Sequence, residues 1–260
     1  MGSEMCIRDR ASFIAFKQFL DMASSSAFFT FLSQRRRSKQ FITFYWIWIG
    51  IQFLFSLLIV GFLLPDSMID IVWEGESRLI VVLALVAVFM QHNVWPSASQ
   101  MAEAQRETIR VQSLNLLVVM IHLVVVVALW LVGQLLLPLL FIAVVVEWSI
   151  AGWLAARMYR GQDSHILNSE DEKETVSSVL GEFWNYCKFF IPAAWLGFVY
   201  TLLDRWMLQH WSGSSEQAYY AVALNFSVVA LLATSSILRI FWKEIAEAKY
   251  QNDTETVSYT

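Results

Sequence analysis

The sequence predicts an all-α fold, a polytopic membrane helix bundle of about seven spans, on three observations. The chain is 57% hydrophobic and only 15% charged, against about 25% charged in soluble domains. Its apolar residues come in long blocks: Phe41 to Leu64 and Val111 to Val146 contain no Asp, Glu, Lys or Arg. A block of about 20 apolar residues crosses a bilayer as a helix. Inside hydrocarbon every backbone N–H and C=O needs an internal partner, so such blocks are helical. Short segments of alternating polarity, the mark of a membrane barrel, are absent from the sequence.

Taken in order, the expected spans run near 12–33, 41–64, 79–102, 112–132, 135–157, 184–208 and 217–242. The loops between them set the orientation. Arg35, Arg36, Arg37 and Lys39 follow the first span, and Arg106 and Arg110 follow the third. Arg157, Arg160 and Lys173 follow the fifth; Arg239, Lys243 and Lys249 close the seventh. The alternate loops are acidic at Asp66 to Ser77 and free of Lys and Arg at Gly133-Gln134 and His210 to Gln217. Basic residues on every second loop place those loops in the cytoplasm. Trp46, Trp48, Trp73, Trp95, Trp206 and Trp211 sit mostly near span ends, where an amphipathic ring meets headgroups. Pro96 and Pro192 fall inside spans, where each removes a backbone donor and is expected to kink the helix. The one sizeable polar segment, Tyr159 to Glu182, carries the charge run Glu170 to Glu174 and reads as a cytoplasmic linker between two bundles.

The ends read differently from the middle. Met1 to Arg10 resembles the in-frame translation of a common transposase sequencing adapter. Val257-Ser258-Tyr259-Thr260 is similar to the same mosaic end on the opposite strand. Residues 1–10 and 257–260 are therefore expected to be adapter-derived artefact and are left out of fold reasoning. Ala11 to about Thr256 is expected to be an internal piece of a longer gene.

Ionisable groups inside lipid cost at least a few kcal/mol, so each needs a partner or a role. Glu147 sits near the middle of its span and His122 near the middle of the preceding one. The two helices form a hairpin turning around residues 133–137, and counting outward from the turn puts the pair at nearly equal depth. They are expected to face each other or a shared aqueous pocket. Such a pair either carries a proton or cation that powers transport or serves as interhelical glue. Lys17 and Asp21, spaced i, i+4, share a helix face and can pair, and the small residues Ala23 to Ala27 permit close packing. Lys17 either meets an anionic ligand or snorkels to headgroups. Asp204 and Arg205 are adjacent, so they point about 100° apart and do not form one tight pair. Lys188 and Asn225 complete the candidates. Two cysteines, Cys6 and Cys187, imply no disulfide framework. Zinc-ligand spacing, a nucleophile elbow and a phosphate-binding glycine loop are all missing, so neither an enzyme nor a cofactor is expected, and nothing points to nucleic acid.

From Asn185 the chain reads NYCKFFIPAAWLGFVYTLLDRWMLQHWSGSSEQAYYAVALNFSVVALLATSSILRIFWKEIAEAKYQND. Phe189-Phe190-Ile191-Pro192 opens a span, Asp204-Arg205 closes it, Ser212-Gly213-Ser214 turns, and Tyr219-Tyr220 opens the next. With Leu20 to Ala27, this resembles the bacterial oligosaccharide-lipid flippases, the O-antigen and polysaccharide exporters of the superfamily that also holds the multidrug/cation antiporters. The resemblance covers essentially all of Ala11 to Glu255. It implies an incomplete two-lobe transporter fold: 11–158 as helices two to six of the first lobe, 159–182 as the cytoplasmic inter-lobe linker, and 183–256 as the first two helices of the second lobe. It further implies alternating access in the bacterial inner membrane. The cargo would be an oligosaccharide on a polyprenyl diphosphate lipid, among membrane lipids, with a proton or sodium ion as coupling ion. Lys17, Lys188 and Arg205 would meet the charged head and Asn225 the sugar, in a cavity with Asp21 and Asp204; Glu147 and His122 would couple the ion. A cation-coupled multidrug exporter would instead use Asp21 and Glu147. A membrane-embedded lipid-modifying enzyme would need charges clustered at one membrane face, and here they are scattered. A scaffold role leaves the buried charge unexplained.

Overall fold

The computed structural model describes residues 13, 17, 19–34, 39–73, 76–134, 136–162 and 176–213, with isolated positions from 215 to 245. Among the described residues the chain is all-helical, with no strand. In order, the helices are α1 (Ser24–Gln34), α2 (Lys39–Leu58), α3 (Asp66–Val72), α4 (Arg78–Phe89), α5 (Trp95–Ala104), α6 (Thr108–Leu131), α7 (Leu137–Gln162) and α8 (Val176–Ser212). A π-helical turn at Ile59–Leu63 extends α2, and another at Met90–Val94 joins α4 to α5. Four continuous stretches are long and apolar enough to cross a membrane: Phe41–Leu63, Arg78–Ala104, Thr108–Leu131 and Leu137–Met158. They match the second to fifth expected spans to within a few residues. Most of the seventh expected span lies outside the described residues, and those of its positions that are described are helical; 1–10, 163–175 and 257–260 lie wholly outside.

The chain forms two compact units. One comprises Met1–Arg8, Gln18–Thr43 and Glu174–Thr260; the other comprises Asp9–Lys17 and Phe44–Lys173.

In the first unit α1 packs on α8. Phe28 stacks on Phe41 with ring centroids 5.7 Å apart, and Phe31 meets Tyr186 at 5.7 Å. Thr30 bonds to Tyr186 (Oγ1···OH 3.2 Å) and accepts a hydrogen bond from Trp242 Nε1 at 3.2 Å. The continuous helix expected over 12–33 is broken here. Met22 and Ala23 adopt φ of +47° and +62°, the left-handed region, so α1 begins afresh at Ser24. Asp21 accepts one of the new helix's orphan backbone donors, Ser25 N–H (3.2 Å), together with the hydroxyls of Ser24 (2.9 Å) and Ser25 (2.7 Å). α8 runs unbroken through Pro192 and starts eight residues before the expected span.

The second unit is built around α7, which packs against α4, the second π turn, α5 and α6. Trp95, Ala98 and Ala102 of α5 meet Trp148, Ala151 and Ala155 of α7, with Val111 and Val118 of α6 in the same core. Small residues let these backbones approach closely, the main source of packing energy where lipid removes the hydrophobic drive. At Gly152 an added Cβ would sit 3.2 Å from Val94 Cγ1, so the site has little room for a side chain. Beyond Val111 and Val118, α6 exposes most of its apolar side chains, including Leu116, Leu117, Met120 and Leu123. A face of that size suits hydrocarbon rather than water.

The ends of these helices follow from local chemistry. Leu64, held extended (ψ 125°) before Pro65, stops α2 and its π turn. Pro96 has no N–H and its ring crowds the carbonyl four residues back. The chain answers with the π turn just before it, where Trp95 N–H reaches Met90 O. The α6–α7 turn is a Schellman motif on Gly133 (φ +71°): Gln134 N–H bonds Leu129 O at 2.9 Å and Gly133 N–H bonds Trp130 O at 3.0 Å. The α5–α6 turn repeats it without glycine. Arg106 takes φ +66°, while Glu107 N–H bonds Ala102 O and Arg106 N–H bonds Glu103 O.

Candidate functional site

α6 meets α7 through one stripe, Val111, Val118 and His122, spaced i, i+7, i+11 and so on a single face. On α7 the facing residues include Ala151 and Ala155, and Glu147 lies one turn before Ala151 on the same face. The stripe therefore delivers His122 to Glu147. Nδ1 of His122 and Oε2 of Glu147 are 2.8 Å apart. Nδ1–H donates to the ionised carboxylate, or the ring nitrogen accepts from the protonated acid. The Glu147 side chain keeps 9% of its exposure and His122 keeps 36%, so the carboxyl is the inner member and the ring leads outward. Oε1 of Glu147 is buried and has no hydrogen-bond partner among the described residues. The expected pair thus forms, with one carboxyl oxygen left open to a proton or another donor.

The other predicted residues do not join it. Lys17 is half-buried. The Asp21 carboxylate is taken up by Ser24 and Ser25 at the start of α1, as described above. Lys188 is exposed, donates to Asn185 Oδ1 at 2.8 Å and lies over the Phe189 ring at 5.1 Å. Asp204 is half-buried and accepts from Tyr220 OH at 3.3 Å. Lys188 and Asp204 stand 16 residues apart on one helix, about 24 Å at 1.5 Å per residue. Arg205 lies on α8, but its side chain, like all of Asn225, lies outside the described residues.

Two features were missed in the sequence. Arg78 opens α4 directly after the acidic loop, on the side expected to be free of basic residues. Its guanidinium donates to the carbonyls of Val60 (3.4 Å), Gly61 (2.9 Å) and Leu64 (2.7 Å) and to Asp66 Oδ1 (2.6 Å). It caps the orphan carbonyls of the first π turn, and its charge is countered locally. The second feature is a set of buried polar residues inside a span: Asn93, Ser97, Ser99 and Glu103. Glu103 accepts from Gln112 Nε2 at 2.9 Å. Asn93, Ser97 and Gln100 recur at helical spacing (i, i+4, i+7), the signal that would have found this face; averaging the hydropathy hid it.

Among the described residues no group of three or more His, Cys, Asp or Glu is placed to hold a metal ion. No family model, curated protein or solved structure matches the chain.

Proposed function

We propose that the chain belongs to a multi-pass transporter of the bacterial inner membrane that moves a polyprenyl-diphosphate-linked oligosaccharide outward by alternating access. Seven spans, a cytoplasmic linker at 159–182 and two lobes are parts of the same reading. The observation that carries the transport half is the His122–Glu147 pair. A carboxyl group so deeply placed in a span is expensive, and its unpartnered oxygen offers a place for a coupling proton. Interhelical glue needs no such open oxygen. The cargo half rests on the pattern from Phe189 to Tyr220 and on the requirement that a diphosphate and a glycan meet polar groups within lipid. A multidrug exporter remains the second reading, favoured by the acidic character of the Glu147 site.

Reconstitution in proteoliposomes tests both halves. Movement of lipid-linked oligosaccharide is expected with the unsubstituted transporter to which the chain belongs. In Glu147→Gln it should fall by at least about tenfold and lose its pH dependence, as an intramembrane ionisable group in the coupling step requires. An unchanged rate and pH profile in Glu147→Gln removes the coupling role. Export of small organic cations with no movement of the glycolipid transfers the proposal to the second reading.

A further inference from the structure

The polar row on Arg78–Ala104 is independent of the His122–Glu147 pair. Ser97 Oγ donates to Asn93 O at 2.7 Å, one turn back, so the two share a face, and Gln100 follows one turn on. Trp95, Ala98 and Ala102 point to α7. At 100° per residue, Asn93, Ser97 and Gln100 lie on the far side of the same helix. That side does not meet open lipid: Asn93 is 6% and Ser97 3% exposed. Yet Asn93 Oδ1 and Gln100 Oε1 are buried and find no hydrogen-bond donor among the described residues. An unsatisfied amide oxygen is costly anywhere in a protein interior, and hydrocarbon offers no donor in its place. Two such oxygens two turns apart on one face, with a hydroxyl between them, form a lane of acceptors that calls for O–H donors. Internal water fills that role in proteins wherever several polar partners line the space.

We infer that this face of the span is a hydrated seam. Water donates to Asn93 Oδ1 and Gln100 Oε1 and exchanges past Ser97 Oγ. The seam descends along the helix toward Glu103 and Gln112, and so toward the end of the span that the basic residues Arg106 and Arg110 mark as cytoplasmic. A sugar hydroxyl presents the same donor as water, and the two sources are separated in the test. The inference stands whether or not the transporter reading does, since it concerns water inside the span and not cargo.

Single thiols test it in membranes containing the full chain, with Cys6→Ser and Cys187→Ala removing the native ones. A small charged methanethiosulfonate is applied to inverted vesicles. Thiolate forms only where water reaches, so Ser97→Cys and Gln100→Cys are expected to react about tenfold or more faster than Ala98→Cys on the packed face and Leu117→Cys on the lipid face. Rates equal to those controls overturn the seam. A soluble oligosaccharide is expected to leave the rates unchanged; slowing by it overturns the assignment to water and gives the donors to a sugar. In the unsubstituted protein, radiolytic hydroxyl labelling, which marks side chains beside ordered water, is expected on the Trp95–Glu103 segment, and its absence there likewise overturns the seam.

Discussion

Replacing Arg78 by alanine is expected to lower stability by about 2–4 kcal/mol, since hydrogen bonds to a charged group contribute about 1.5–3 kcal/mol each and are not additive. The Asp66 partner contributes little to that sum: its side chain is 85% exposed, and an exposed ion pair is worth about 0–1 kcal/mol. The larger share comes from the carbonyls of Val60, Gly61 and Leu64, which the π turn leaves without helical donors near the end of a span. Arg78→Lys should recover less than half of the loss, because an ammonium lacks the planar fork that serves several carbonyls at once. Asp66→Asn should be nearly neutral. Unfolding in mixed micelles reads all three. An Arg78→Ala protein as stable as its parent would mean that the fork is decorative.

The second large effect is at His122. Its removal in His122→Ala leaves Glu147 buried without its partner, at an expected cost of about 2–3 kcal/mol, below the about 3–5 kcal/mol for breaking a fully buried pair because the ring itself is partly exposed. Glu147→Gln should cost less, since a neutral amide keeps an acceptor for Nδ1–H. The double variant should be more stable than the two single losses added together, with a coupling of about 1–2 kcal/mol, near the upper end measured between membrane helices. Additive losses would show that the 2.8 Å contact contributes nothing net.

What could be read from the sequence was what lipid itself demands. A span is a composition before it is a structure, so Phe41–Leu63 stood out as an unbroken apolar block, and the charge-free run Val111 to Val146 announced the hairpin of Thr108–Leu131 and Leu137–Met158. The His122–Glu147 contact was also legible, because a tight hairpin converts sequence distance from the turn into depth. Backbone breaks were not. Met22, Ala23 and Arg106 are ordinary helix formers, and nothing in their side chains announces a positive φ. Gly133 announces it, and that turn was found. The polar row at Asn93, Ser97 and Glu103 escaped because three or four polar residues hardly lower the hydropathy of a span. Their burial becomes visible only when the helix has neighbours. Arg78 escaped for a related reason. A charge at a span end looks like a loop residue until the carbonyls it caps are known.

The central claim is that these helices cross the bilayer, with the turn before α6 and the turn after it on opposite sides. The most direct measurement is labelling of single thiols at the two ends of α6 with a membrane-impermeant maleimide. In cells whose outer face alone is accessible, Gln134→Cys is expected to label and Thr108→Cys to stay unlabelled. In inverted vesicles the pattern should reverse, in keeping with Arg106 and Arg110 on the cytoplasmic side. Labelling of both thiols from the same side would contradict the crossing of α6, and with it the account of His122 and Glu147 as a pair inside the membrane.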